Sequence, residues 1–284
     1  SKFCNLYGLP KEKLIAMGED PYDPGGYFII NGNERAIMMM EDLASNNIFI
    51  EETEKGISLR LFSQKDSYRI PLQIYMDKDG IIKVNFSRFK DIPAIILVKA
   101  LGMTKDAEIA ENIGLESENV IVNLYEFAEI NSIDSAWQWL AEKFELSGTA
   151  KEIKDTIKNR LDLGLLVHLG TSPNDRTAKA LLLCKLIKQF LIYKEKNIMT
   201  DKDHCANKRI RLSGDLLYDL FKTHLMLLVR DIQQNIEKYK RREKLPELRN
   251  IAKSILFSSR IESSLATGTW VGEKKGVTQN IDKT

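Results

Sequence analysis

Apolar residues recur at gaps of three and four near the end of the chain: Leu216, Leu217, Leu220, Phe221, Leu227, Leu228, Ile232, Ile236 and Tyr239. That spacing draws one stripe along a helix. Lys222, Arg230, Lys238, Lys240, Arg241 and Arg242 fall opposite it. The rest of the chain is patterned around this amphipathic run.

The start reads as turns and strands. Residues 20–26 are a cluster of Asp, Pro and Gly, and Tyr27-Phe28-Ile29-Ile30 is a buried strand. Asn31-Gly32 predicts a tight hairpin, because both central positions of that turn need positive φ. Arg35 to Met40 is the expected return strand, and Glu41 to Lys55 a polar connector. Period-two alternation then predicts strands over 57–62, 68–76 and 81–86, a small antiparallel meander. Pro71 suggests an edge position or a bulge.

Helices follow. Ala94 to Leu101 is expected with Asp91 as its cap and Gly102 past its end. Thr104 would cap Lys105 to Asn112. Further helices are expected over 133–144, 150–161 and 175–194. The β-then-α block suggests one domain inserted into another, because domain termini usually lie close together at the surface. The outer domain would be 1–52 with 200–255, and the insert 53–199.

Composition bounds the function classes. The chain has 284 residues, 43% hydrophobic and 29% charged, the profile of a soluble globular protein. No apolar run approaches the roughly 20 residues of a membrane span. Three cysteines without a CxxC argue against a zinc site and fit a reducing cytoplasm. Both ends read as cut, which suggests a piece of a longer polypeptide. Net charge is only +2, yet residues 201–260 hold 14 Lys and Arg against 8 Asp and Glu. Such a stretch is either a solvated helix face or a site for a phosphate backbone.

Nothing is assembled as an active site. No GxSxG or HExxH occurs. Asp201 and Asp203 read as a charged turn. Gly25-Gly26 lacks the GK[ST] ending of a phosphate loop. His168, among Leu165, Leu166 and Val167, reads as a satisfied packing residue.

Several long strings carry a resemblance: DPGGYFIINGNE (23–34), DIPAIILVKALGMTKDAEI (91–109), DKDHCANKRIRLSGDLL (201–217), LATGTW (265–270) and KKGVTQ (274–279). They resemble the second-largest subunit of multisubunit DNA-directed RNA polymerases in its archaeal and eukaryotic form. The resemblance implies an α+β fold: a mixed α/β protrusion domain (1–52 and 200–255), an inserted lobe of a small antiparallel sheet plus helices (53–199), and the start of the fork (256–284).

It also implies a nucleotidyltransferase whose catalytic residues lie elsewhere. The whole polymerase would use magnesium, and no cofactor is expected in this stretch. The implied partners are the DNA template, the other polymerase subunits, and general transcription and elongation factors. Lys208, Arg209, Arg211, Arg241, Lys274, Lys275 and Gln279 are the expected nucleic-acid contacts. Gly268, Gly272 and Gly276 would keep the fork loop mobile, with disorder near Glu273. The competing class is a non-enzymatic adaptor whose basic helix docks an acidic protein.

Overall fold

The computed structural model describes residues 5–23, 25–53, 56–66, 68–114, 118–241, 251, 254–270 and 275–281. Helices and small antiparallel sheets are segregated along the chain, an α+β fold. Contacts divide it into two units, one of residues 1–41 with 210–284, the other of residues 42–209.

In the first unit, α1 (Lys11–Ala16) precedes β1 (Tyr27–Ile30) and β2 (Asn33–Ile37). The hairpin between them turns on Asn31 (φ 51°) and Gly32 (φ 76°), the positive pair that the sequence predicts. Strand β10 (Thr278–Asn280) pairs antiparallel with the other edge of β2. Among the described residues the unit also holds the helices α8 (Ser213–Arg241) and α9 (Ser254–Thr267). Their core joins Leu216, Leu220, Leu265, Trp270 and Val277, with Phe28, Ile30 and Ile37 packed against it. The stripe expected along α8 is therefore buried only in its first two turns. Phe221, Leu225 and Ile236 are exposed.

The second unit is built on a five-stranded meander: β4 (Ile48–Thr53), β5 (Gly56–Lys65), β6 (Tyr68–Met76), β7 (Ile82–Phe86) and β8 (Phe89–Pro93). The meander is two strands wider than the alternation predicts. β4 was hidden in the polar connector, because Phe49 and Ile50 are adjacent and both buried, so no alternation shows. β8 replaces the expected lead-in to a helix. Asp91 does not cap that helix: it takes a hydrogen bond from the Tyr75 hydroxyl, and Pro93 stands at the N-cap.

Against the sheet lies α2 (Ala94–Ala100), buried at every residue. Around it pack α3 (Asp106–Ile113), α4 (Glu118–Glu126), α5 (Ile133–Lys143), α6 (Ala150–Gly164) and α7 (Arg176–Lys196). Lys105, not Thr104, precedes α3, and its side chain makes no cap. α5 and α6 open with reciprocal capping boxes, Ser132 with Ser135 and Thr149 with Glu152. Lys99, fully buried, donates to the Phe127 carbonyl at 2.9 Å and pairs with Asp106 at 2.7 Å. A buried ammonium is tolerated only when it is satisfied in this way. His168 sits as expected, its Nδ1 2.8 Å from the buried Ser63 hydroxyl. Burial, then the nearby Lys179 charge, lowers its pKa.

The chain passes from one unit to the other within β3 (Met40–Leu43) and within β9 (Lys208–Arg211).

Candidate nucleic-acid interface

Three of the seven expected contacts stand on β9, where a tight turn leads into it. Asp201 Oδ1 accepts from Asp203 N at 2.8 Å, and Asn207 Nδ2 donates to the Asp201 carbonyl at 2.6 Å. His204 Nδ1 accepts from Ala206 N at 3.1 Å, capping the 3-10 turn Cys205–Asn207. The acidic pair thus shapes a loop, the bland reading of its spacing.

The basic residues emerge from that loop already engaged. Lys208 Nζ lies 3.5 Å from Asp203 Oδ1, and its side chain is 25% exposed. Arg209 turns back, donating through Nη1 to the carbonyls of Ala206 (3.0 Å) and Lys208 (2.8 Å). Arg211 pairs with Asp219 on α8. Lys208 and Arg209 belong to the second unit and Arg211 to the first.

Arg241 is the last described residue of α8 and is exposed. With Lys238 and Lys240 it places positive charge at the negative end of the helix dipole, which itself stabilises the helix. At 29 residues α8 is roughly 43 Å long, so Arg211, just before its start, and Arg241 are widely separated. The sequence grouped them as one basic segment. The fold does not bring them together.

Lys275 and Gln279 lie on a pinned segment of the first unit. Val277 N donates to the Gly268 carbonyl at 3.1 Å, Met38 N donates to the Val277 carbonyl at 2.8 Å, and Thr278 Oγ1 donates to the Leu265 carbonyl at 2.7 Å. Gly268 is needed here for close approach: its φ is 67°, and a Cβ would meet the Thr278 carbonyl at 2.9 Å. The expected role of Gly268 in loop mobility is thereby corrected. Lys274, Gly272 and Glu273, where disorder was expected, lie outside the described residues.

Lys275 stands exposed just before the buried Val277. Gln279 pairs in register with Ala36, which pairs with Tyr27. Its neighbours Thr278 and Asn280 alternate to the core side, so Gln279 faces outward with the exposed Ile29.

Sequence reasoning missed Arg260. On α9 it lies 3.7 Å from Asp231 of α8. It also acts on His224, whose pKa is lowered first by burial and then by that charge. Both His224 ring nitrogens are buried without a hydrogen-bond partner. The cue was the i, i+7 spacing of His224 and Asp231 on one helix, which says nothing without the second helix.

A family model described as RNA polymerase beta subunit matches residues 1–263. The chain is 36% identical over 282 residues to the DNA-directed RNA polymerase subunit Rpo2 of Saccharolobus shibatae, covering 96% of this chain and 25% of that one. To the subunit Rpo2N of Methanocaldococcus jannaschii it is 36% identical over 296 residues, covering all of this chain and 59% of the relative. To Rpo2N of Halobacterium salinarum it is 37% identical, with 99% and 56% covered. The chain spans about a quarter of the length of the Rpo2 relative and somewhat over half of the Rpo2N relatives.

Proposed function

The chain belongs to the RNA polymerase beta subunit family, and from that premise we propose that it serves DNA-dependent RNA synthesis as the cleft-wall portion of an archaeal second-largest subunit. Residues 1–52 with 200–255 would act as the protrusion, 53–199 as the lobe, and 256–284 as the start of the fork. Its partners would be template DNA, the other polymerase subunits and transcription factors, in the cytoplasm. The chemistry of nucleotide addition, with its magnesium ions, would be carried by residues outside these 284.

The observation that carries the reading is the anchoring of the strand that bears Gln279, with Lys275 exposed just before it. Leu265, Gly268 and Met38 hold Val277 and Thr278 in place, and Gln279 and Lys275 stand exposed on either side of them. Lysine and glutamine there would meet phosphate and sugar oxygens. Such contacts position a strand without reading its bases, which suits an enzyme that must accept any sequence. Lys274 would add a second charge. Arg209 and Arg241 are the other exposed candidates. Lys208 and Arg211 would have to exchange Asp203 and Asp219 for phosphate.

The adaptor reading keeps one supporting observation. α8 exposes Tyr218, Leu225, Val229 and Ile236, at spacings of seven, four and seven that align on one face. An apolar face of that kind suits a protein neighbour, here another part of the polymerase, better than a phosphate backbone.

Charge reversal at Lys274 and Lys275 in a reconstituted polymerase tests the proposal. Open-complex stability is expected to fall and to become less sensitive to salt, by roughly 0.9 in log–log slope per lost phosphate contact. Melting of the isolated chain should stay unchanged. A transcription profile identical to wild type across salt concentrations would leave these lysines as solvated loop residues.

A further inference from the structure

A hollow of about 350 Å³ on the outer face of the β4–β8 sheet and one of about 380 Å³ between the β7–β8 turn and α6 share Ser87 and Phe89 as a common wall. Their cations are Arg60, Lys90 and Arg160, and among their described lining residues there is no carboxylate. The chain as a whole has 40 Asp and Glu against 42 Lys and Arg. An acid-free lining with three cations therefore departs from the average surface and sets the sign of a ligand.

The donors are fixed by the sheet. Register places Arg60 opposite Gln73, and Gln73 opposite Asn85. Leu59 and Leu61, Leu72 and Ile74, and Val84 and Phe86 flank these positions and are buried. The polar row therefore lies on the face away from the core. With strands about 4.8 Å apart, it spans roughly 10 Å. Asn85 Oδ1 accepts from Asp91 N at 2.7 Å, so its amide NH2 is the group left to meet a ligand. Arg60 is steadied by Glu51, Nε to Oε1 at 2.9 Å, and Glu51 also takes Lys202.

Phe62 and Phe89 belong to the apolar part of the lining, and each ring already carries a guanidinium. The Arg69 guanidinium lies 4.3 Å from the Phe62 centroid. Phe89 packs on Phe144 at 4.1 Å between centroids, with the Arg160 guanidinium at 4.8 Å. Single-stranded nucleic acid binds by stacking bases on open aromatic faces as well as by charge, and at these two rings a guanidinium already holds a stacking position. Carboxylates match the cations and amides of the lining. An extended peptide carries alternate side chains on one face about 7 Å apart, so the polar row accommodates two of them.

We infer that this groove docks an acidic peptide segment of a protein partner, extended, with carboxylates at alternate positions facing the polar row. The inference rests on the lining alone and not on the polymerase reading.

Fluorescence anisotropy of the 284-residue chain with a labelled peptide of Asp-Phe-Glu-Leu repeats tests it, beside an oligo-dT strand of similar charge. Lys90→Glu alters an exposed lining residue on β8, and Asn159→Asp an exposed residue on α6. Lys151→Glu makes the same charge change as Lys90→Glu on exposed α6 surface outside the lining. Peptide affinity should fall about tenfold or more in Lys90→Glu, the loss expected for one charge-assisted contact, and measurably in Asn159→Asp. Lys151→Glu should bind like wild type. If Lys90→Glu does not fold, Asn159→Asp carries the comparison alone. Absence of peptide binding by wild type, or equal losses in all three variants, would overturn the inference. So would tighter binding of oligo-dT that is lost in the two groove variants, which would make the groove a nucleic-acid site.

Discussion

Lys179 Nζ donates to the main-chain carbonyl of Asp162 at 2.7 Å, and to that of Leu161 at 3.2 Å. Helix α6 ends at Gly164, so these are among its last carbonyls, which have no partner within the helix. A cation on α7 closes α6 where its dipole is negative. Arg176, one turn earlier on α7, grips the Asp162 carboxylate with two bonds of 2.8 and 2.6 Å. Desolvation lowers the Lys179 pKa from 10.5 to about 8, although Asp162 and Asp175 oppose the shift.

A stability change with a defined sign follows. Between pH 8 and 10.5 the unfolded chain binds a proton at Lys179 that the folded chain has lost, so this group makes stability rise with pH. Cys184, pushed up by burial to about 11, and Tyr75, also raised, act in the opposite sense, but only above about pH 9. The clean window is therefore pH 8 to 9, where the Lys179 contribution should be about 1 kcal/mol. Lys179→Met should lose stability overall, because two carbonyls are left unpaired, and should flatten that rise. Urea melts of both proteins across the window check it, and parallel slopes would rule out the assignment.

Gly170 and Asp175 make a second relationship of this kind. Asp175 Oδ2 accepts from Ser172 N at 3.0 Å and Ser172 Oγ at 2.7 Å, fastening the turn before α7. Gly170 has φ 135°, and a Cβ there would overlap that carboxylate and lie 3.0 Å from the Asp175 Cβ. Gly170→Ala should cost about 3 kcal/mol from strained backbone and overlap together. Gly170→Ala with Asp175→Ala should cost less than the sum of the single changes, because the overlap is gone. Additive losses in thermal melts would mean that the overlap contributes nothing.

Much of the fold could be read where local chemistry decides it. Asn31-Gly32 demanded a hairpin and made one. The helices over 133–143 and 150–164 appear where gaps of three and four placed them. What escaped depends on tertiary context. β4 carries two adjacent buried residues, Phe49 and Ile50, because both of its faces are covered there. The edge of β4 is closed by Thr200, whose hydroxyl accepts from Ile50 N at 3.1 Å across 150 residues. Lys99 and Lys179 look like surface lysines in sequence, and only the chain folded over them shows otherwise. The expected site was legible as residue types but not as an arrangement. β9 splits its residues between two units, and Asp203 and Asp219 already pair with two of them.

His224 predicts an acid sensitivity in the first unit. Its ring is buried without hydrogen-bond partners, and its pKa is lowered by that burial and by Arg260 on α9. Its folded pKa lies below its unfolded one, so the unfolded chain takes up the proton first as pH falls. Stability is then lost as pH drops from the unfolded value, 6.5, through the folded one. His224→Leu should remove that loss and leave stability at pH 8 unchanged or higher, because no hydrogen bond is given up. Amide exchange in α8 between pH 5 and 8 reads this locally. The same pH dependence in wild type and variant would show that His224 is not its source.

Arg211 and Asp219 give the sharpest test of whether β9 serves a nucleic acid. Their ion pair joins the strand to α8 and leaves the Arg211 side chain 24% exposed. A partly exposed pair of this kind contributes at most about 1 kcal/mol to stability, so weakening it should leave the fold intact. If Arg211 serves DNA, Asp219 competes with phosphate for the guanidinium. Asp219→Asn should then tighten binding of duplex DNA to the chain and steepen its salt dependence by up to about 0.9 in log–log slope. Arg211→Ala should weaken binding, and adding Asp219→Asn to it should restore nothing. A gain in the double variant equal to that in Asp219→Asn alone would trace the effect to lost negative charge and exclude Arg211 as the contact. No change in any of the three would confine the pair to its structural role of tying β9 to α8.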